Sequence, residues 1–216
     1  MEYEKLIQEI ISLYHKARNS LYPHERIFRG ESRSISSETE DLFAKYLIEF
    51  LPADIKLFIN QTITTGSKEA RLRVKPDIIV VRHNKIKAIL DLKMDLGYKR
   101  NEFPKYWDER DALIPKMRRR LFSFFQKRGS DKSPQFLEFS EKAKLFFVII
   151  SDQNINPTQL SEVIKRQGKK RYSETYILTK GIHPNTYDIS IAELMRKIEV
   201  DKESFEKLNT ELQKIV

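Results

Sequence analysis

Apolar residues recur at helical spacing from Glu2 to Leu21: Leu6, Ile7, Ile10, Leu13, Tyr14, Ala17 and Leu21. The pattern predicts one amphipathic helix, ended by Pro23. Arg29 to Ser37 is polar and reads as a loop. A second helix is predicted from Ser37 to Leu51, with Leu42, Phe43, Tyr46, Leu47, Phe50 and Leu51 on its apolar side. Then the period changes. Lys56 to Thr64, Arg73 to Val81 and Lys85 to Leu92 read as three strands of an antiparallel meander, the last two joined by a tight turn near His83-Asn84. Asn101 to Arg128 returns to a helical pattern, with Pro115 expected to break or kink it. Gly129 to Pro134 reads as a polar loop, and Lys144 to Ser151 as a strand buried on both faces. A short helix to about Gln167, a fifth strand from Tyr172 to Thr179 and a helical tail from Ile189, split near Asp201, complete the chain.

The element order, α-α-β-β-β-α-β-α-β-α, predicts an α/β protein: a mixed central sheet of about five strands flanked by helices. With 216 residues, no repeat and no low-complexity linker, the chain is expected to form one domain. Its core would run roughly from residue 37 to 180, with helical additions at 1–21 and 189–216. There is no cysteine, which excludes disulfides, thiolate zinc sites, iron–sulfur clusters and a thiol nucleophile. The longest apolar run, Leu145 to Ile150, is far short of the roughly 20 residues of a membrane span. The acidic start, Met1-Glu-Tyr-Glu, is unlike a signal peptide. A soluble, cytoplasmic protein with no membrane partner is therefore expected. The formal charge of +9 adds a first pointer to a polyanion.

The segment Pro76-Asp77-Ile-Ile-Val-Val81 is followed by Ile89-Leu-Asp91-Leu92-Lys93. Side chains alternate along a strand, so Asp91 and Lys93 share a face while Leu92 points into the core. Opposed residues in an antiparallel hairpin have numbers of constant sum. A three-residue loop at His83-Asn84-Lys85 brings Asp77 across from Asp91. A two-residue loop turns Asp77 to the other face, unless a bulge repairs the register. On one face, the two aspartates and the Leu92 carbonyl form a hard-oxygen set suited to Mg2+. Such an ion acidifies a bound water and offsets phosphoryl charge. A lysine one pleat further on can orient that water.

These residues resemble the signature of the PD-(D/E)XK nuclease superfamily, the restriction-endonuclease-like fold, and the stretch from Ser37 to Ser151 supplies the order αβββαβ of its core. The resemblance implies a Mg2+-dependent DNA endonuclease, with Mn2+ as a substitute, in which Asp77 and Asp91 bind metal with Leu92 and Lys93 is catalytic. The superfamily also places a glutamate in its first core helix. Glu40 is the best match and Glu38 the alternative. Glu40 has a competing role, since it stands three residues after Ser37, at the spacing of a capping box. Asp95 continues the alternation but is expected to be solvated near Gly97. The four histidines show no ligand spacing, and there is no phosphate-binding glycine loop.

Excess base concentrates in two stretches. Lys99 to Arg128 has ten basic residues and four acids, and Lys165 to Lys180 has six bases and one acid. Tyr98, Lys99 and Arg100 would flank the site; Arg118 and Arg119, on a helix, and Lys169, Lys170 and Arg171 are the other candidates for backbone phosphates. A chain of this size without helicase or methylase motifs suits a type II restriction endonuclease acting on DNA, and cutting both strands would call for a homodimer. The rival readings are another nuclease of the superfamily, for repair, junction resolution or transposition, and a non-catalytic nucleic-acid-binding protein of the same fold.

Overall fold

The computed structural model describes the chain except residues 1, 23, 27, 67–70, 98–100, 129–130, 156 and 168. It is an α/β structure: a mixed sheet flanked on both faces by helices. Among the described residues the helices are α1 (Tyr3–Arg18), α2 (Ser36–Phe50), α3 (Phe103–Met117), α4 (Pro157–Gln167), α5 (Ile191–Lys197) and α6 (Lys202–Ile215). The strands are β1 (Lys56–Ile59), β2 (Ile63–Thr65), β3 (Leu72–Val74), β4 (Ile78–Arg82), β5 (Lys85–Lys93), β6 (Leu121–Arg128), β7 (Asp131–Ser151), β8 (Ser173–Lys180) and β9 (Glu199–Val200). No helix among these residues is long and apolar enough to cross a membrane.

The expected meander is present as β1-β4-β5, all antiparallel neighbours. β5 then pairs in parallel with β7, and β7 with β8. Alternation along these strands divides the core. Ile78, Val80, Leu90, Leu92, Phe146 and Val148 face α1, α2, α5 and α6. Ile79, Val81, Ile89, Leu145, Phe147 and Ile149 face α3 and α4. β7 is buried on both faces from Leu145 to Ile150, as its unbroken apolar run predicts. The C-terminal helices divide at Asp201, whose carboxylate caps α6 by accepting from the Ser204 N–H at 3.0 Å.

Several expectations are corrected. Among the described residues the sheet has nine strands rather than about five. Two of the extra strands arise because the predicted first and second strands each divide. Asn60, with φ 54°, turns the chain between β1 and β2, and β3 stops at Val74, ahead of Pro76. The detached pieces β2 and β3 form a hairpin that joins β6. Leu121 to Arg128, expected to be helical, is β6, paired antiparallel with a β7 that begins at Asp131, inside the predicted loop. There Leu121 and Phe125 are exposed while Phe122 and Phe124 are buried, which is period two and not helical. Arg119, at φ 59°, reverses the chain between α3 and β6. Pro115 is accommodated in the last turn of α3, two residues before its end. α1 ends at Arg18, short of Leu21, which is exposed.

Candidate functional site

The β4–β5 hairpin has a two-residue turn, His83-Asn84, both residues at positive φ (50° and 57°) as a tight hairpin turn of this hand requires. Near the turn the pairing is Arg82 with Lys85 and Val81 with Ile86, the register that would separate the two aspartates. Between Val80 and Val81 the register shifts, and from Val80–Ala88 through Ile78–Leu90 the sum is the one that aligns them. The extra residue is Lys87. Its effect is visible in the cores: Ile86 and Ala88, two apart, belong to opposite faces of the sheet. The ladder ends at Ile78–Leu90; Asp77, in the bend before it, donates its N–H to the Leu90 carbonyl at 3.1 Å and stands within electrostatic reach of Asp91, while Leu92 packs into the opposite core.

Asp77 precedes β4. Its Oδ2 accepts from the backbone N–H of Leu92 at 2.6 Å and lies 3.8 Å from the Lys93 Nζ. The Lys93 ammonium also donates to the Leu92 carbonyl at 3.1 Å. The cation between the Leu92 carbonyl and the Asp77 carboxylate is thus the chain's own lysine. Asp91 is only 4% exposed, and its Oδ2 accepts from the Tyr106 hydroxyl at 2.7 Å. Burial raises the Asp77 pKa above the usual carboxylate value, and the Asp91 charge adds to the rise against the opposing pull of Lys93 and Arg110.

Glu40 does not take the capping role. α2 begins at Ser36 after Ile35, with no side-chain cap, so the capping box at Ser37 is not formed. Glu40 is instead buried, and its Oε2 has no hydrogen-bond partner. Burial raises its pKa first, and the Asp77 charge raises it further. It is therefore within electrostatic reach of Asp77 and Lys93. Glu38 is exposed.

Two participants escaped the sequence reading. Tyr106 fixes Asp91, and Arg110 lies with its guanidinium 5.0 Å from the Tyr106 ring centroid, close enough to favour ionised Asp77. The only available signal was their i, i+4 spacing on one helical face. Asp95 lies past the end of β5, as expected, but is only partly exposed and is held by side-chain partners. Its carboxylate accepts from His183 Nε2 at 2.8 Å and from Asn154 Nδ2 at 3.1 Å, contacts that hold its pKa down, with a further contribution from the Gly97 N–H. His183 Nδ1 accepts from the Asn185 N–H at 3.0 Å, so its proton sits on Nε2. Gly97, at φ 43°, takes a backbone conformation that strains a side-chain-bearing residue, and a Cβ there would lie 2.9 Å from Asp95 Oδ1, which would have to shift.

The candidate phosphate contacts divide. Tyr98, Lys99 and Arg100 lie outside the described residues. Arg118 and Arg119 are in the turn after α3, not on a helix. Arg118 donates to the Ala143 carbonyl at 3.3 Å and lies 4.4 Å from the centroid of the Tyr172 ring, and Arg119 pairs with Glu141 at 2.6 Å. They stand about 18 Å along the helix axis from Tyr106, at 1.5 Å per residue. Lys170 is paired with Asp108, whereas Lys169 and Arg171 are exposed.

Whether these residues suit a divalent cation can be judged from the donor set. Asp77, Asp91 and Glu40 bring three carboxylates and Leu92 a carbonyl. The raised pKa values of Asp77 and Glu40 and the orphaned Glu40 oxygen mark a site with more acceptor capacity than its own cations fill. No ready-made cage of three or more His, Cys, Asp or Glu side chains exists among the described residues. Mg2+ does not need one, since it takes one or two carboxylates plus waters and substrate phosphate. The set fits. Comparison with known proteins returned no matching family model, no matching curated protein and no matching solved structure.

Proposed function

We propose that the chain is a metal-dependent nuclease that hydrolyses phosphodiester bonds at the end of the β4–β5 hairpin. The observation that carries the reading is the convergence of Asp77 on Asp91 and Lys93 past the bulge at Lys87, with the buried, unsatisfied Glu40 within electrostatic reach of Asp77 and Lys93. A buried acid without a partner is costly, so a cluster of this kind points to a ligand that completes it. The order α2, β1, β4, β5, α3, β7, with β5 parallel to β7, supports the resemblance to the PD-(D/E)XK superfamily.

In this reading Asp77, Asp91, Leu92 and Glu40 hold Mg2+ or Mn2+. The ion, when bound, acidifies water and offsets charge on the phosphoryl oxygens. Tyr106 keeps the Asp91 carboxylate in one orientation by donating to Oδ2. Lys93 donates toward the attacking water, and Arg110 toward a non-bridging phosphate oxygen. The water oxygen bonds to phosphorus, one phosphorus–ester oxygen bond breaks, and the departing oxygen takes up a proton. The exposed cations Lys169 and Arg171 position the backbone without reading sequence. DNA is the expected substrate, and cleavage of both strands, as by a type II restriction enzyme, would involve a homodimer.

The test is incubation of supercoiled plasmid with purified protein and Mg2+, beside Asp91→Ala and Lys93→Ala. Metal-dependent nicking by the parent and its loss in both variants is expected. Retention of DNA binding without any nicking, over a range of salt and with Mn2+ in place of Mg2+, would favour the non-catalytic binding protein.

A further inference from the structure

A cleft of about 240 Å3 opens beside the catalytic group, lined by Lys93, Asp95, Leu96, Glu102, Phe103 and Tyr106. We propose that it receives one nucleobase lifted out of its stack, so that the preferred substrate is single-stranded or carries an unpaired nucleotide next to the cut. The inference rests on the nuclease reading and narrows it.

Size is the first argument. Sites for drug-sized ligands run from about 300 Å3 upward, so this cleft suits a single heterocycle and not a base pair. Position is the second. Two of its walls, Lys93 and Tyr106, are also the groups that contact Asp77 and Asp91, so an occupant sits within one nucleotide of the reacting phosphate. Chemistry is the third. Leu96 and Phe103 form a buried apolar floor, and the Tyr106 ring adds a flat wall. Flipped bases are held by such stacking, together with hydrogen bonds to their edges. The Phe103 ring is itself braced by Phe147 at 5.4 Å and Trp107 at 5.9 Å, so the floor is rigid.

The rim sets a preference among bases. Asp95 is already filled by His183 and Asn154. Glu102 is exposed and has no partner among the described residues, so its carboxylate is free to accept an N–H. Cytosine offers an exocyclic amine to such a carboxylate, whereas thymine presents a carbonyl oxygen there. Cytosine is therefore favoured over thymine.

Trp107 is the single tryptophan and touches the floor, which makes its fluorescence a reporter of occupancy that does not depend on cleavage. Titration with dCMP is expected to give a saturable change, with dTMP binding about fivefold or more weakly, the lower end for one base-edge contact. Inorganic phosphate should give no change. Leu96→Phe, which fills the cleft, should abolish the dCMP response. Glu102→Gln, an exposed and structurally mild change, should erase the preference for dCMP while keeping binding. On oligonucleotides, single strands and mismatched duplexes should be cut faster than perfect duplex. An absent dCMP response, or one unchanged in Leu96→Phe and equal for dTMP, overturns the proposal even if plasmid is nicked. A dCMP response with this variant pattern sustains the cleft even if nothing is cleaved, in which case the nuclease reading alone fails.

Discussion

Lys144 and Lys93 both stand among carboxylates at the edges of the core, and they are similarly shielded, with 26% and 34% of their side chains exposed. Around Lys144 every bond is made. Its Nζ lies 2.6 Å from Glu174 and 2.9 Å from Glu211, Lys214 backs Glu211, and the Tyr176 hydroxyl donates to Glu174. Burial disfavours the Lys144 charge, but its two partners outweigh it and its pKa is raised; that of Glu211 is lowered by Lys214 and Lys144. Around Lys93 the balance is reversed. Asp77 and Glu40 have raised pKa values, the nearest ion pair is a loose 3.8 Å, and an oxygen of Glu40 is orphaned. One cluster holds β7, β8 and α6 together with its burial cost outweighed by its own ion pairs. The other retains repulsion that folding alone would have removed, which is the signature expected where stability has been given up for binding.

The contrast can be broken most sharply with two substitutions. Asp77→Asn keeps an acceptor for the Leu92 N–H but removes a repelling charge. It should lower metal-dependent cleavage at least about a thousandfold, the equivalent of the several kcal/mol that a bound metal contributes. The same variant should unfold about 1 kcal/mol later than the parent in urea, measured without metal. Lys144→Met does the opposite. Glu174 and Glu211 would then face each other, at a cost of about 2 kcal/mol, less than for a fully buried pair because part of each side chain stays wet. Its activity under conditions where it is folded should match the parent. A Lys144 variant inactive while folded, or an Asp77 variant less stable than the parent, would dissolve the distinction.

A smaller effect sharpens it through pH. A carboxyl whose folded-state pKa is raised binds more protons in the native chain than in the unfolded one. Glu40 and Asp77 therefore make metal-free stability fall as pH rises from their unfolded values, near 4.5 and 3.8, through their raised native ones. Glu211 and Asp201, whose values are lowered, make stability rise as pH climbs toward those same unfolded values. Glu40→Gln should remove part of the fall and leave the rise intact, as read from urea midpoints between pH 4 and 7. An unchanged profile would mean that Glu40 is better solvated than its burial indicates.

Much of this was legible from local pattern. The meander, the two-sided burial of Leu145 to Ile150, the break at Asp201 and the placing of Asp91 and Lys93 on the face of β5 opposite Leu92 follow from periodicity. The β6 error has a local cause too: Leu121-Phe-Ser-Phe-Phe alternates, but reading it as a continuation of α3 ignored how soon a helix ends after Pro115. Other features were not local. Tyr106 is a site residue only because α3 docks on Phe147, 5.7 Å from its ring, which carries its hydroxyl to Asp91. Asp95 looked solvated because its donors, His183 and Asn154, lie 88 and 59 residues away. Glu40 stood at capping-box spacing, and only the backbone, with the helix starting after Ile35, shows that this box is not formed.

The extra residue in β5 also makes the hairpin tolerant of one change in length. Lys87 is the residue left out of the ladder, so deleting it would make Val81–Ile86 and Val80–Ala88 consecutive pairs of a regular hairpin and leave every pair above them as it is. What would part the aspartates is Lys87 taking a place in the ladder, which moves each later residue of β5 to the opposite side of the sheet. The spacing of the motif along the chain can therefore shorten by one at this position without changing which side chains meet in space.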